Sequence, residues 1–321
     1  PPPPPPPPPP FFFYTQTRQY PILSGLVGSE MCIRDRSHTA STTISRYFTN
    51  TRGKALSTGW FGLSTAEFLM PITIIYALTI MDWRNIWIII SVAIILFLPM
   101  VSYFLVKEVK LSSRENDTEI AEENIKQWKR SEVIKDYRFI IIALNMLAMP
   151  WIATGIFVYQ SFILSAKNWG EYTIAQSFMV YSIASVLTLF VAGYLIDKFT
   201  SRKLLIYMNI PFLISLLILI YFQSPVSSFF FLGLIGVSNG FANVLGSSTW
   251  AELYGVKFIG SIKALTTALM VFSTAFGTAL FGLMIDFDFS IEQISMISGG
   301  YILISLILLF LIKNKLNPTI L

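Results

Sequence analysis

The chain has 321 residues, of which 54% are hydrophobic and only 13% are charged, and its net charge is +5. Soluble domains carry roughly 25% charged residues, so this composition argues against a soluble protein and for one that lies in lipid, where charges are costly. With one cysteine and one histidine, the chain excludes a disulfide framework, a Cys/His metal site and a Cys–His nucleophile pair in the apolar segments, and we expect no cofactor.

The chain begins with a segment that does not resemble natural protein. Ten prolines are followed by three phenylalanines, an order that runs of C and then T in DNA would encode. Residues 21–36 resemble translated sequencing-linker sequence. The alternative is a proline-rich cytosolic tail in polyproline II conformation. We interpret residues 1–36 as a non-native or disordered leader and expect the credible protein to start near Ser37.

Eight apolar stretches then follow, each long enough to cross a bilayer. Because every backbone polar group in lipid must be satisfied within its own segment, these stretches predict an all-α polytopic membrane protein. The predicted spans lie near residues 55–79, 86–106, 139–164, 174–196, 204–222, 229–254, 264–285 and 294–312.

The charges of the connectors predict the orientation of the spans. Alternate connectors, including residues 107–138 and the C-terminal tail, contain 18 Lys and Arg residues, whereas the connectors between them contain two, Arg84 and Lys167. By the positive-inside rule the first set is cytoplasmic, and we expect a bacterial inner membrane. Since the bases are spread over connectors rather than gathered on one face, nucleic-acid binding is excluded. Trp83, Trp87 and Trp169 are expected at the outer interface.

Residues 107–138 form the one long connector, which separates two predicted spans from six. Glu122, Lys126 and Arg130 recur at intervals of four, the spacing at which opposite charges pair on a helix surface. We predict a short solvated helix in a linker. A regulatory docking segment is the alternative.

Three motifs occur at the ends of the predicted spans. The first is an aromatic-flanked R-G-K-A-L loop, residues 52–56, followed by a proline in mid-span and by Asp82-Trp-Arg84 at the outer end. The second runs from Gly193 to Lys203, and the third joins Glu252-Leu-Tyr-Gly255 to a Gly-Ser-Ile triplet. In this order they resemble motifs of the major facilitator superfamily of membrane transporters.

The match has departures, and it covers roughly residues 40 to 321. Asp82 stands where the family commonly has glycine. The second motif, Gly193 to Lys203, resembles the gating loop of the family. In it Thr200 and Ser201 replace the usual glycine and arginine, which puts the tight turn and one ion pair of that loop in doubt.

The resemblance implies a fold of two six-helix bundles, of which this chain contains the equivalents of helices five to twelve. Residues 37–106 would be the remnant of the N-terminal bundle, with the end of helix four and helices five and six. Residues 107–138 would be the cytoplasmic central loop, and residues 139–321 the C-terminal bundle. Because helices one to three and most of helix four are missing from this sequence, we expect that the chain does not transport as written.

The resemblance also implies secondary active transport of a small solute by alternating access, coupled to a proton or another ion. The implied partners are the lipid bilayer, the solute and H+, and the expected state is a monomer. One competing hypothesis is a membrane-embedded transferase, for which Asp286 and Asp288 are the only close acid pair near a span. The other is a non-transporting sensor or scaffold of the same fold.

A carboxylate at the cytoplasmic end of the fourth predicted span is the main gating candidate. Asp197 can pair with Lys198 or Arg202, and it can accept hydrogen bonds from the N-terminus of the next helix. The resemblance implies that this cluster latches the cytoplasmic side shut in one state, and the alternative is ordinary positive charge at a helix end. The gating candidates are Gly193, Asp197, Lys198, Arg202, Arg52 and Glu252.

Glu67 is the strongest single candidate for binding a solute or a proton. It lies near the middle of the first predicted span, where an acid costs about 2.5–3.5 kcal/mol on insertion scales. Pro71, four residues later, frees the carbonyl group of Glu67, so that two acceptors lie at one depth. The alternative is a protonated glutamic acid that hydrogen-bonds to a neighbouring helix.

Polar residues on two further spans are candidates for lining a cavity. Asn239 and Asn243 form a stripe on the sixth predicted span, and hydrogen bonding between helices is the alternative. Asn145, Tyr159 and Gln160 lie on the third, which Pro150 is expected to bend. For the outer pair, Tyr159 and Gln160, an interfacial belt or outer gate is the alternative.

Overall fold

The computed structural model describes residues 51–107 and 126–316, together with Ile44. Within these residues all regular secondary structure is helical. In chain order the helices are α1 Arg52–Leu78, α2 Trp83–Lys107, α3 Arg130–Val133, α4 Tyr137–Ala148, α5 Thr154–Val158, α6 Gln160–Lys167, α7 Glu171–Phe199, α8 Ser201–Met208, α9 Ile210–Tyr221, α10 Ser227–Tyr254, α11 Ile259–Asp286 and α12 Ile291–Ile312. A π-helical turn, Met149–Ala153, lies between α4 and α5, and a 3-10 turn, Lys313–Lys315, follows α12.

The predicted all-α membrane fold is confirmed. Each predicted span coincides with one long helix or with consecutive helices, namely α1, α2, α4–α6, α7, α8–α9, α10, α11 and α12. Seven candidate spans among the described residues are long and apolar enough to cross a membrane. Helix α1 is not among the seven, but its 27 residues have the length of a span. Residues 1–36 and 108–125 lie outside the described residues.

Two local expectations were wrong. Lys263 lies just before the predicted span 264–285, so we expected it in a connector. Instead it lies within α11 and is only 3% exposed. The predicted linker helix does not include Lys126, because helix α3 starts only at Arg130. The Lys126 ammonium instead lies 3.5 Å from Glu132 Oε1. The N–H of Lys129 donates to Glu132 Oε2 at 2.8 Å, and this hydrogen bond lowers the pKa of the Glu132 carboxyl.

Small residues bring α7 and α10 together along most of their length. A Cβ atom on Gly236 would collide with the carbonyl group of Tyr181, and one on Gly240 would lie 2.6 Å from the carbonyl oxygen of Ser185. The hydroxyl groups of Ser177 and Ser228 are 2.7 Å apart. Since lipid supplies no hydrophobic drive between helices, such close approach and hydrogen bonding hold the pair.

Helices α1 and α2 differ in how much of their surface is covered. Helix α1 packs against α7 and α10, whereas α2 is almost entirely exposed and contacts mainly α1. Trp83 and Trp87 are exposed at the start of α2, as an interfacial belt requires. Trp169 is only 4% exposed, and its indole N–H donates to the carbonyl oxygen of Gln223 at 3.0 Å, so its belt assignment was wrong.

Candidate functional site

The start of α1 and the end of α7 cross through two glycines. A Cβ atom on Gly53 would collide with the carbonyl oxygen of Gly193, and one on Gly193 would lie 2.9 Å from the carbonyl oxygen of Gly53. The hydroxyl of Ser57 donates to the Gly53 carbonyl oxygen at 2.6 Å. Only glycine on both helices permits this approach, because any side chain would meet backbone.

The carboxylate of Asp197 binds the N-terminus of α1 at this crossing. Its Oδ1 accepts from the N–H of Gly53 at 2.8 Å, and its Oδ2 accepts from the N–H of Lys54 at 3.2 Å. These N–H groups are among the first four of a helix, which have no partner inside it. Thr51, at the N-cap position, makes no side-chain capping bond, and the first turn of α1 contains no acidic residue. Asp197 therefore supplies both the cap and the negative charge that the helix dipole favours.

Arg202 and Glu252 form a separate group beside this crossing. Glu252 Oε2 accepts from the N–H of Ser201 at 2.8 Å and from its hydroxyl group, which caps α8. The guanidinium Nε of Arg202 lies 3.6 Å from Glu252 Oε1, and its Nη1 donates to the carbonyl oxygen of Leu316 at 3.2 Å. The Lys198 ammonium lies 5.3 Å from the ring centre of Phe199. Asp197 thus binds α1, whereas Arg202 binds Glu252.

Helix α12 and the turn between α8 and α9 hold the broken third span near its π-helical turn. Pro150 is the second residue of this irregular stretch, and because it has no N–H it leaves one preceding carbonyl group without its usual helical donor. The hydroxyl of Tyr301 on α12 donates to the carbonyl oxygen of Leu144 at 2.8 Å. The side-chain amide of Asn209 donates to the carbonyl oxygen of Asn145 at 2.6 Å. The side-chain amide of Asn145, which is fully buried, lies 3.4 Å from Ser305 Oγ.

We expect that Tyr301→Phe destabilises the protein by about 0.5–1.5 kcal/mol, because it removes the hydrogen bond to the carbonyl oxygen of Leu144. The matched control is Tyr221→Phe, since Tyr221 is 76% exposed. Thermal unfolding in detergent measures both variants. Equal midpoints for the two variants would show that the hydroxyl of Tyr301 does not hold the turn.

The outer candidates Tyr159 and Gln160 lie at a second interruption, between α5 and α6. The hydroxyl of Tyr159 sits against α11, 2.5 Å from where a Cβ atom on Gly282 would be. Gln160 borders a small recess that α5, α6, α7 and α10 surround with apolar side chains, including Phe178 and Phe231. The side-chain oxygen of Gln160 is buried and has no hydrogen-bond partner among the described residues.

The remaining candidates are spread along α10 and α1. The side-chain amide of Asn239 donates to Ser185 Oγ on α7 at 3.1 Å, and Asn243 is half-buried one turn later. Glu67 and Arg52 lie in α1, but their side chains are outside what the structure describes. The structure therefore brings the α1 N-terminus, Gly193 and Asp197 together, and it does not gather the cavity candidates at one point.

One polar contact, between the end of α6 and the start of α12, was not predicted. The ammonium group of Lys167, at the end of α6, lies 2.7 Å from Glu292 Oε1 in the first turn of α12. The Lys167 side chain is fully buried, whereas that of Glu292 is 35% exposed. A lone lysine between two predicted spans was the available signal, but its partner is 125 positions away in the chain.

The chain matches one family of known proteins. The family model described as Major Facilitator Superfamily matches residues 37–277 and, in a second match, residues 140–320. No curated protein matches the chain. The family-model matches cover most of the sequence and include every described helix. The chain therefore belongs to the Major Facilitator Superfamily, whose members carry solutes across membranes.

Proposed function

We propose that the chain is part of a secondary transporter that moves a small solute by alternating access, driven by a proton or another ion. In this proposal α1 and α2 belong to one bundle, α4–α12 belong to the other, and the transporter works as a monomer in a bacterial inner membrane. The linker before α3 and the C-terminus face the cytoplasm.

The observation that carries this proposal is the contact between Asp197 and the N-terminus of α1. A carrier needs a contact that closes one side of the membrane and can open again. A helix N-terminus held by one carboxylate suits this use, because such a contact is worth about 1–2 kcal/mol and is easily reversed. We call the group of Gly53, Lys54, Gly193 and Asp197 the cytoplasmic latch.

We expect that Asp197→Asn raises the fraction of molecules with an open latch about tenfold, since the charge at the N-terminus of α1 is lost. Spin labels at two exposed lysines, Lys54 and Lys203, report the distance across the latch, with Cys32→Ser removing the natural thiol. The matched control is Asp288→Asn, an exposed acid in the connector between α11 and α12. An unchanged distance distribution in Asp197→Asn would rule out the latch.

In this proposal Glu67 couples transport to the ion. The residues that contact the solute are Asn239 and Asn243 on α10, together with Asn145, Tyr159 and Gln160. An acid near the middle of a span favours reversible protonation, because burial disfavours the charged form. In an intact homologue reconstituted into proteoliposomes loaded with a pH dye, we expect the substitution equivalent to Glu67→Gln to abolish the pH change that solute addition causes. The control is Asp82→Asn, at the exposed outer end of α2. A persisting pH change would remove Glu67 from the coupling step while leaving the latch intact.

A further inference from the structure

We propose that the linker segment Lys126–Asp136 is a clamp on the turn between α10 and α11, and that this clamp positions the cytoplasmic latch. The inference rests on the proposed function and adds a regulator to the same site. It assigns Gln127, Asp136 and Tyr254 as positioning residues, which act through Glu252 rather than by touching the solute.

Both ends of the segment hydrogen-bond to one residue, Tyr254, which is 1% exposed. The N–H of Trp128 donates to the carbonyl oxygen of Tyr254 at 3.1 Å. The hydroxyl of Tyr254 donates to Asp136 Oδ2 at 3.1 Å. The rings of Trp128 and Tyr254 meet edge to face, with their centres 5.6 Å apart. The last turn of α10 is therefore held from two sides by the linker.

Gln127 closes the clamp over the turn itself. Its Oε1 accepts from the N–H of Lys257 at 3.1 Å. Its amide also occupies the place where Gly255 would carry a side chain, and Gly255 has a φ of +80°. A residue other than glycine at position 255 would be strained and would displace Gln127. The turn can therefore hold Gln127 only if residue 255 is glycine.

The opposite side of the same helical turn contacts the start of α8, the helix that follows the latch. Glu252, two residues before Tyr254, caps α8 through Ser201. Ser201 follows Thr200, whose φ of +75° ends α7 three residues after Asp197. Contacts thus run from the linker through the end of α10 to Ser201, and the chain joins Ser201 to Asp197 over four residues.

This arrangement gives the linker a mechanical role. The segment Lys126–Asp136 lies between α2 and α4 in the chain, so we expect movement of α1 and α2 relative to α4–α12 to act on Gln127 and Trp128. A clamp that yields would let the end of α10 shift and would loosen the turn that carries Asp197. The latch and the linker are expected to open together.

The test combines Gln127→Ala and Tyr254→Phe with the spin-label pair at Lys54 and Lys203. We expect each variant to raise the open fraction about two- to tenfold, the range for losing one hydrogen bond. In an Asp197→Asn background neither variant should add a further change, because the latch is already broken. Tyr221→Phe, on an exposed ring, is the matched control.

A second label pair separates positioning from general damage to the fold. Phe222 and Phe287 are both exposed and lie directly after α9 and α11, away from α8, so that their distance reports the bundle alone. We expect this distance to stay unchanged in the clamp variants. A closed latch in both clamp variants, or effects that add to that of Asp197→Asn, would overturn the clamp. If Asp197→Asn itself left the latch closed, the proposed function would fail instead.

Discussion

Gly53→Ala is expected to open the cytoplasmic latch in most molecules. The added Cβ atom would meet the backbone of Gly193 and would lie 2.9 Å from Asp197 Oδ1. Backbone cannot move aside as a side chain can, so α1 and α7 must separate, at an overpacking cost of about 1–3 kcal/mol. The measurement is the distance between spin labels at Lys54 and Lys203, where the closed population should fall about tenfold.

The matched control for this substitution lies on the same helix. A Cβ atom on Gly62 would have nothing within 4 Å. Gly62→Ala should leave the latch closed, and it should stabilise α1 by up to about 1 kcal/mol because alanine is the better helix former. If both alanine variants gave the same closed population, close approach of the two glycines would not be what holds the latch.

Glu292→Ala is expected to lower the thermal stability of the protein strongly. It would leave the ammonium group of Lys167 buried without its described partner. A buried charge that loses its partner costs about 3–5 kcal/mol. The midpoint of thermal unfolding in detergent measures the loss.

A second substitution, at Lys167, tests whether the loss of stability comes from the unpaired buried charge. Lys167→Met removes the buried charge and fills its space with an apolar side chain, so the loss of stability should be small. The double variant, Lys167→Met with Glu292→Ala, should therefore be more stable than Glu292→Ala alone. If the double variant were the least stable of the three, Lys167 would be held by something other than its ion pair.

The helices could be predicted because membrane insertion depends on local properties. Apolar length and the placement of bases are read along the chain, and each predicted span coincides with helical structure. The limits of the spans were less accurate where a charge lies inside the bundle. Lys263 was counted as a connector base because sequence reasoning assumes that lysine faces water, whereas the folded bundle buries it.

The partners of the polar residues could not be predicted in the same way. Asp197 was expected to pair with Lys198, with Arg202 or with the N-terminus of the next helix, but it binds the N–H of Gly53, 144 positions earlier in the chain. Trp169 was assigned to the interface because tryptophan is common there, yet its N–H finds the carbonyl group of Gln223. Such contacts depend on which helices become neighbours, and periodicity within one span contains no information about that.

The seam between α7 and α10 has a consequence for how specificity can change. Glycines on one helix touch the backbone of the other, so the two helices cannot slide without forcing atoms over one another. A displacement of α7 at Asp197 is therefore expected to displace Asn239 and Asn243 on α10 as well. Under the proposed function, exchanging Asn239 or Asn243 would change which solute is accepted without altering the contact between Asp197 and α1.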